Sequence, residues 1–375
     1  MNPTTDWGLY IHVPWCRGIC PYCGFFVRKE PRQTPWAEFV AALHREFAQR
    51  GPMFEGPPAT VFLGGGTPSR LPQAQLAALL ELAPDAKEIS MECNPEDIDG
   101  DWTAHPRLTR ISLGVQSLHD RHAALLGRLH TAAVAERAIA RVKDAVPTWS
   151  IDLIFGVPGQ TLDDVHRDLE AMLGHDPPHM SLYGLTFEPN TPFERARVAG
   201  RMQPIDPDLW ADMYNTIVST LRGAGLERYE VSNFARPGHR SGHNQLYWTD
   251  APYMGIGPSA HGYLPDGRRY SNLRDIEGYL STADPTADIE RPTAHERASD
   301  ILVSVLRTPR GVDHGWLAER TGMAVDHDEV ALLQQAGLLL RTTHRIALSD
   351  SGFPVSDAVI ARLAGALRPI KDRET

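Results

Sequence analysis

Short runs rich in Val, Ile, Leu, Phe and Tyr recur through the first two-thirds of the chain, with helical patterns between most of them. The runs are GLYIHV near residue 8, TVFLGGG near 60, EISMEC near 88, RISLGV near 110, SIDLIFGV near 150, MSLYGLTF near 180 and RYEVSNF near 228. Each reads as a buried strand. Between them, Trp36, Phe39, Val40, Leu43 and Phe47 fall on one apolar stripe, and Leu209, Met213, Ile217 and Leu221 repeat every four residues, as the buried face of a helix does. Strand alternating with helix predicts an α/β fold with a parallel sheet, either open and doubly wound or a full or partial barrel. Periodicity does not choose between them.

The cysteines, GGGTPS, ECNP, GVQS and FGVPGQ all stand at or just after the end of a predicted strand. In parallel α/β folds that edge of the sheet builds the active site. At 375 residues the chain exceeds one typical domain, and past about residue 235 the pattern changes. RPGHRSGHNQLYWTDAPYMGIGPSAHGY is dense in Gly, Pro, His and aromatics and reads as irregular structure. From about 291, three helical patterns and the strand-like pieces GLLLRT and HRIALSD suggest a small α+β module in winged-helix order. The expected division is a core over 1–235, a connecting segment over 236–290 and the module over 291–375.

Charge weakens two classes of function. Lys and Arg number 37 against 47 Asp and Glu, a net of −10, whereas nucleic-acid and anionic-membrane surfaces recruit positive charge. The C-terminal module holds 11 basic and 11 acidic residues, unlike a DNA-reading domain, which is basic; a lid or docking surface fits it better. No stretch approaches the roughly 18 apolar residues of a membrane helix, and MNPTTDWGLYIHV lacks the pattern of a secretion signal. A cytoplasmic protein is expected, in which four cysteines are poor disulfide material.

Three of those four, Cys16, Cys20 and Cys23, form C-x3-C-x2-C. Structural zinc takes four ligands, usually as two separated pairs, and no second pair exists. A [4Fe-4S] cluster held by three cysteines keeps one iron open. Incidental buried thiols or a fortuitous zinc site are the competing readings. Cys93 has no spacing to recommend it and reads as a buried thiol.

The cysteine spacing resembles the signature of the radical S-adenosylmethionine (SAM) superfamily, and GGGTPS, MECNP, LGVQS, LGRLH and SIDLIFGVPGQ follow it in order. The resemblance implies a partial (β/α)6 TIM-type barrel with the cluster on Cys16, Cys20 and Cys23. It implies SAM contacts from Tyr10, Tyr22, Gly65, Gly66, Thr67, Glu92, Gln116, Arg128 and Asp152. The chemistry suits that ligand: carboxylates accept from ribose hydroxyls or the amino group, and Arg pairs with the carboxylate. Each also has a plain structural reading. Glu92 and Asp152 can cap turns, Gln116 can be a buried amide, Arg128 a solvated charge and Tyr10 a packed strand aromatic. His12 reads as a satisfied strand histidine rather than a cluster contact.

YIHVPWC, GGGTPS, RISLGVQS, LGRLH and IDLIFGVPGQT together resemble the HemN/HemW branch, which holds oxygen-independent coproporphyrinogen III oxidases and heme chaperones. The oxidase motif continues to a fourth cysteine two positions after the third, where this chain has Phe25. HNQLYW, residues 243–248, matches the HNxxYW motif of the chaperones. The resemblance implies heme handling by His243, Asn244, Tyr247 and Trp248, since imidazole ligates iron and aromatics stack on the macrocycle. The plain alternative is that His243 and Asn244 close a turn while Tyr247 and Trp248 pack on the barrel.

What the branch implies is a heme chaperone that binds a [4Fe-4S] cluster, SAM and heme and passes heme to acceptor proteins, without oxidase activity. The alternative is oxidative decarboxylation of coproporphyrinogen III by a 5′-deoxyadenosyl radical. Radical SAM tRNA modification would call for extra cysteines or a basic appendage, and neither is here. Expected partners are heme and heme acceptors and no nucleic acid; transient membrane docking without a span, and a homodimer, are compatible with the resemblance. GIGPSAHGY has a GxGxxA pattern but follows no clear strand and opens no helix, so the dinucleotide reading fails. Its glycines read as shaping a loop at the site, with His261 an unassigned polar candidate.

Overall fold

The computed structural model describes residues 6–100 and 105–370. Strands β1 (Gly8–Val13), β2 (Thr60–Gly65), β3 (Glu88–Cys93), β4 (Arg110–Gln116), β5 (Thr148–Phe155) and β6 (His179–Gly184) pair in parallel, each with the next in the chain. Helices α1 (Trp36–Arg50), α2 (Gln73–Leu80), α3 (Asp120–Leu125), α4 (Ala132–Ala145) and α5 (Leu162–Leu173) lie between them. Spatial order follows chain order without a reversal, which is barrel topology; a doubly wound sheet reverses at its switch point.

The strands carry side chains to opposite faces with period two. On one face Leu9, Ile11, Val61, Leu63, Met91, Ile111, Leu113 and Ile151 are fully buried in the main core. Burial of each such side chain contributes about 2 kcal/mol, and this fixes the register. The other face carries Tyr10, His12, Ser90, Glu92, Ser112, Ser150 and Asp152. Small hydroxyls make that inner face narrow and polar, and they bond one another and the acids: Ser112 Oγ donates to Asp152 at 2.7 Å, and Ser150 and Ser181 share a bond of 3.1 Å. Local signals also agree with the fold. Thr161 and Asp164 form a reciprocal capping box at the start of α5, which satisfies backbone donors that have no partner within the helix.

After α6 (Pro192–Val198) and α7 (Pro207–Gly223), the run RYEVSNF divides into β7 (Glu227–Arg228) and β8 (Asn233–Ala235), short antiparallel strands at the edge of β6. It is not a seventh member of the parallel set. That place is taken by a segment expected to be irregular. Following α8 (Gly242–Tyr247), β9 (Tyr253–Ile256) lies parallel to β1 on its free side, with Gly8 opposite Tyr253. Then β10 (His261–Tyr263), β11 (Arg269–Asn272) and, after α9 (Ile276–Ser281), β12 (Thr286–Glu290) extend the sheet antiparallel. GIGPSAHGY therefore begins inside one strand and ends in the next, and it opens no helix.

The glycines that disguise β9 are the ones its neighbours require. A Cβ at Gly255 would lie within bonding distance of the His261 carbonyl oxygen, and Gly257, at φ +109°, would place one 2.5 Å from the His12 carbonyl oxygen. Close backbone approach needs glycine there. Beneath, a buried network pins the extension to α1: Glu46 bonds Arg50 Nε (2.8 Å), Asn272 Nδ2 (2.7 Å), Tyr279 OH (2.6 Å) and Gly257 N (3.0 Å).

The C-terminal module comprises α10 (Ala294–Val305), β13 (Val312–Asp313), α11 (His314–Thr321), β14 (Met323–Val325), α12 (His327–Gln335), β15 (Leu339–Arg341), β16 (Arg345–Leu348), α13 (Ser356–Gly365) and β17 (Leu367–Pro369). The β15–β16 hairpin with β13 on its other edge completes the order of a winged helix. Asp250, just past α8, ties the module down by ion pairs to Arg297 (2.6 Å) and Arg320 (3.2 Å). No described helix is long and apolar enough to cross a membrane.

Candidate functional site

At the C-terminal ends of the strands a cavity of about 560 Å³ opens. The loop after β1 supplies Cys16, Cys20, Tyr22 and Cys23 to its wall, the strands and their C-terminal turns supply Gly65, Gly66, Thr67, Glu92, Gln116 and Asp152, and the loop between α3 and α4 supplies Arg128. Of the residues singled out for the cluster and SAM, only Tyr10 does not line it. By alternation Tyr10 shares the inner face with His12, one step deeper, where its hydroxyl meets His12 Nδ1 at 3.0 Å and its ring stacks on Phe62. His12 Nε2 lies 2.8 Å from the Phe26 carbonyl, so both ring nitrogens are engaged and the histidine is a strut between strand and loop.

The triple glycine serves the cysteine loop first. Gly66 N donates to the Val13 carbonyl at 2.7 Å and Thr67 N to that of Trp15 at 2.8 Å. A Cβ at Gly66 would lie 2.6 Å from Trp15 O and 2.7 Å from Val13 O, and one at Gly65, at φ +104°, would strike the His12 ring. Only glycine lets the two backbones meet. Arg128 then reaches across: it donates to Cys20 Sγ (3.4 Å), to the Gly114 carbonyl (2.9 Å) and to Asn94 Oδ1, while Asn94 Nδ2 donates to Thr67 Oγ1 (3.1 Å).

The cavity's charged side chains are that guanidinium and three acids, Glu92 and Asp152 on the strands and Glu188 after β6. Glu92 accepts from Gly65 N at 3.0 Å. Burial, and secondarily the Asp152 charge, push its carboxyl up to about 7. Asp152 is also raised by burial, against the hydroxyls of Ser112, Ser181 and Ser150. Burial raises the Cys16 thiol to about 11, with the neighbouring thiols adding to it, so a bound metal group must displace its proton. From Asp152 a chain of bonds runs inward through Ser150 Oγ (3.0 Å) to His179 Nδ1 (2.8 Å), and from Nε2 to Tyr229 OH (2.8 Å).

Two buried polar atoms on this wall, Gln116 Oε1 and Arg128 Nε, have no partner among the described residues. Gln116 also holds a left-handed backbone, φ +69°, at an irregularity between β4 and β5. Both observations suit a ligand that completes the site, because orphaned buried groups and strained non-glycine residues are costly. No three ligating side chains among the described residues converge as a single ion requires. Three thiols spaced around one cavity suit a larger polynuclear group. The opposed acids and guanidinium suit a zwitterion.

HNQLYW stands at the other end of the barrel. Its helix, α8, seats under the N-terminal ends of the strands: Glu88 at the foot of β3 accepts from Gly242 N (2.7 Å) and His243 N (3.0 Å). His243 is buried, with Nδ1 2.8 Å from Thr60 Oγ1 and Nε2 2.9 Å from Tyr247 OH, and it stacks on Phe62. Both imidazole nitrogens are engaged in this arrangement. A six-residue strand spans about 20 Å, which separates the motif from the cysteine loop. Phe25, in the place of the oxidases' fourth cysteine, is 68% exposed at the cavity mouth.

The Radical SAM superfamily pattern matches residues 10–172. The heme chaperone HemW of Synechocystis is 38% identical over 78% of this chain and 74% of its own. The heme chaperone HemW of Bacillus subtilis is 30% identical over 96% of this chain and 99% of its own. The chain belongs to the radical SAM superfamily, in its HemN/HemW branch. The solved structure of coproporphyrinogen III oxidase (HemN) from Escherichia coli superposes with a TM-score of 0.80 at 21% identity, covering 96% of this chain and 90% of that one. This likeness shows the shared fold.

Membership implies a [4Fe-4S] cluster and SAM, and the cavity's donor set fits both. Sequence reasoning passed over Asn94, Ser112 and Tyr183, which also line it. Asn94 had a signal, since it lies inside the ECNP stretch. Ser112 had a weaker one, as a polar residue in an apolar strand.

Proposed function

We propose that this protein is a heme chaperone: it holds a [4Fe-4S] cluster on Cys16, Cys20 and Cys23, SAM beside it, and heme, which it passes to acceptor proteins. The reading is supported above all by the end-to-end match to relatives named heme chaperones. Phe25 and HNQLYW point the same way. In the cavity, Arg128 pairs the SAM carboxylate, Glu92 and Asp152 accept from its amino group or ribose, and Gln116 Oε1 takes up a donor. Tyr10 acts through His12. The HNQLYW segment contributes to heme binding, and the protein works in the cytoplasm, docking transiently at membranes.

Anaerobic reconstitution followed by heme titration tests this. One heme per chain, and no conversion of coproporphyrinogen III with SAM and reductant, is the expected result. Turnover to protoporphyrinogen IX would overturn it in favour of the oxidase. Changing any one of Cys16, Cys20 and Cys23 to Ala should abolish the iron–sulfur absorbance; a retained cluster would refute the ligand set.

A further inference from the structure

A second cavity, of about 540 Å³, lies at the seam between the barrel and the C-terminal module. Its size falls in the range of small-molecule sites. The barrel side contributes the end of α7 with Arg222, the β7 strand with Arg228, and Arg240, Gln245 and Trp248 around α8; the module contributes residues 308–310 and Asp350. Trp248 closes the HNQLYW motif. The motif therefore has two faces: His243 and Tyr247 plug the barrel foot, while Trp248 walls this cavity.

The lining is cationic. Arg222, Arg228, Arg240 and Arg310 face only two carboxylates, Glu227 and Asp350. Both carboxylates belong to surface pairs, Glu227 with Arg240 at 3.1 Å and Asp350 with both Arg228 at 2.7 Å and Arg222 at 3.3 Å, and the two acidic side chains are about two-thirds exposed. Surface pairs of this kind hold weakly and yield to a better-placed anion. Arg228 is the reverse case: its side chain is 7% exposed and its guanidinium lies 3.6 Å over the Phe353 ring. At the same wall two buried donors, Arg228 Nε and the Trp248 indole N–H, have no partner among the described residues. A buried unmade bond is costly, and these two are both donors, so what the wall lacks is an acceptor.

An excess of guanidinium groups beside an indole recognises a flat aromatic body with carboxylate arms. Heme has that form, a planar macrocycle with two propionates. The cavity at the cysteine loop is taken up by the cluster and SAM that the family implies. We infer that heme binds in this second cavity, its propionates paired by Arg222, Arg228 and Arg240 and its macrocycle against Trp248. This rests on the heme-chaperone reading and gives the C-terminal module a part, as one wall of the cargo site.

The test uses the full chain with its cluster reconstituted and three probes: hemin, iron-free protoporphyrin IX, and protoporphyrin IX dimethyl ester, whose propionates carry no charge. Wild type is expected to bind both acids and to bind the ester at least tenfold more weakly, with acid binding weakening as salt is raised. The Arg222→Gln/Arg240→Gln double variant changes two exposed side chains, and unchanged iron–sulfur absorbance reports its fold. It is expected to bind both acids at least tenfold more weakly than wild type, and the ester equally. Trp248→Leu should weaken all three probes.

Equal affinity of wild type for acid and ester, or full affinity of the double variant for hemin, would remove the site and leave heme handling standing. Failure of wild type to bind hemin at all would bring down the heme-chaperone reading and the site with it. The acid and ester comparison needs no variant, so a misfolded mutant would not shelter the inference.

Discussion

The backbone N–H of His243 donates to the Glu88 carboxylate at 3.0 Å, so the foot of β3 holds the start of a helix 155 residues further on. With Gly242 N and Ser241 Oγ on the same carboxylate, Glu88 is a helix cap supplied from another element, and its charge suits the positive helix start. Glu88→Ala is expected to lower unfolding free energy by about 2 kcal/mol. Glu88→Gln, which keeps an acceptor and loses the charge, should fall between. Denaturant titration reads both, and an Ala variant as stable as wild type would mean that α8 is seated by other contacts.

Gly66→Ala should separate cluster loading from folding. Its Cβ would meet two carbonyl oxygens that belong to the root of the cysteine loop, so the loop moves while the core under α1 stays packed. Reconstituted protein should show little iron–sulfur absorbance and an unchanged far-ultraviolet circular dichroism spectrum. Full cluster incorporation would count against the loop's dependence on that contact.

Gln116 couples strain to ligand binding. Replacing it by Gly removes the cost of a left-handed non-glycine backbone, about 1 kcal/mol, and also removes the orphaned Oε1 from the cavity wall. Gln116→Gly should therefore raise thermal stability while SAM binds roughly tenfold more weakly. Calorimetry and equilibrium SAM titration would show the two effects moving in opposite directions; SAM affinity equal to wild type would assign Gln116 a structural part only.

Glu230 gives a pH signature. It is 1% exposed, and burial lifts its carboxyl to about 7 against the bonds from Ser232 and Asn233 that lower it. Arg307 is its charged neighbour, and Tyr183, Tyr214 and Tyr229 lie within its field. Between about pH 4.5 and 7 the native state keeps a proton that the unfolded chain releases. This contribution to stability is whole below the unfolded value and is lost as pH rises through 7. Glu230→Gln has no such proton to lose. The variant should gain on wild type by about 1–3 kcal/mol between pH 5 and pH 8, measured by urea unfolding at each. A stability difference that is the same at both would refute the raised carboxyl.

The six barrel strands were legible because each is a compact apolar run, and the cavity was legible because its residues sit at the ends of those runs. Two regions were not. The β9 strand hides in a glycine-rich stretch, since Gly255 and Gly257 are set by the proximity of β10 and of His12 rather than by strand propensity. Helix α8 has six residues and takes part of its cap from Glu88, a partner no local window contains. Tyr10 shows a subtler limit: its place on β1 was plain, but its depth on the inner face depends on where the cysteine loop turns back over His12. The polar lining at Asn94 and Ser112 becomes meaningful only once β3, β4 and β5 are side by side.

β1 carries the cysteine loop and is paired on one side by β2 and on the other by β9, Gly8 meeting Tyr253. On the ribosome the second edge has to wait for roughly 245 further residues, which at about 5–20 residues per second is on the order of 10–50 s. Until then β1 lacks its β9 neighbour and the close approach of Gly257 to the His12 carbonyl. The root of the cysteine loop is thus completed only after synthesis has entered the C-terminal third of the chain.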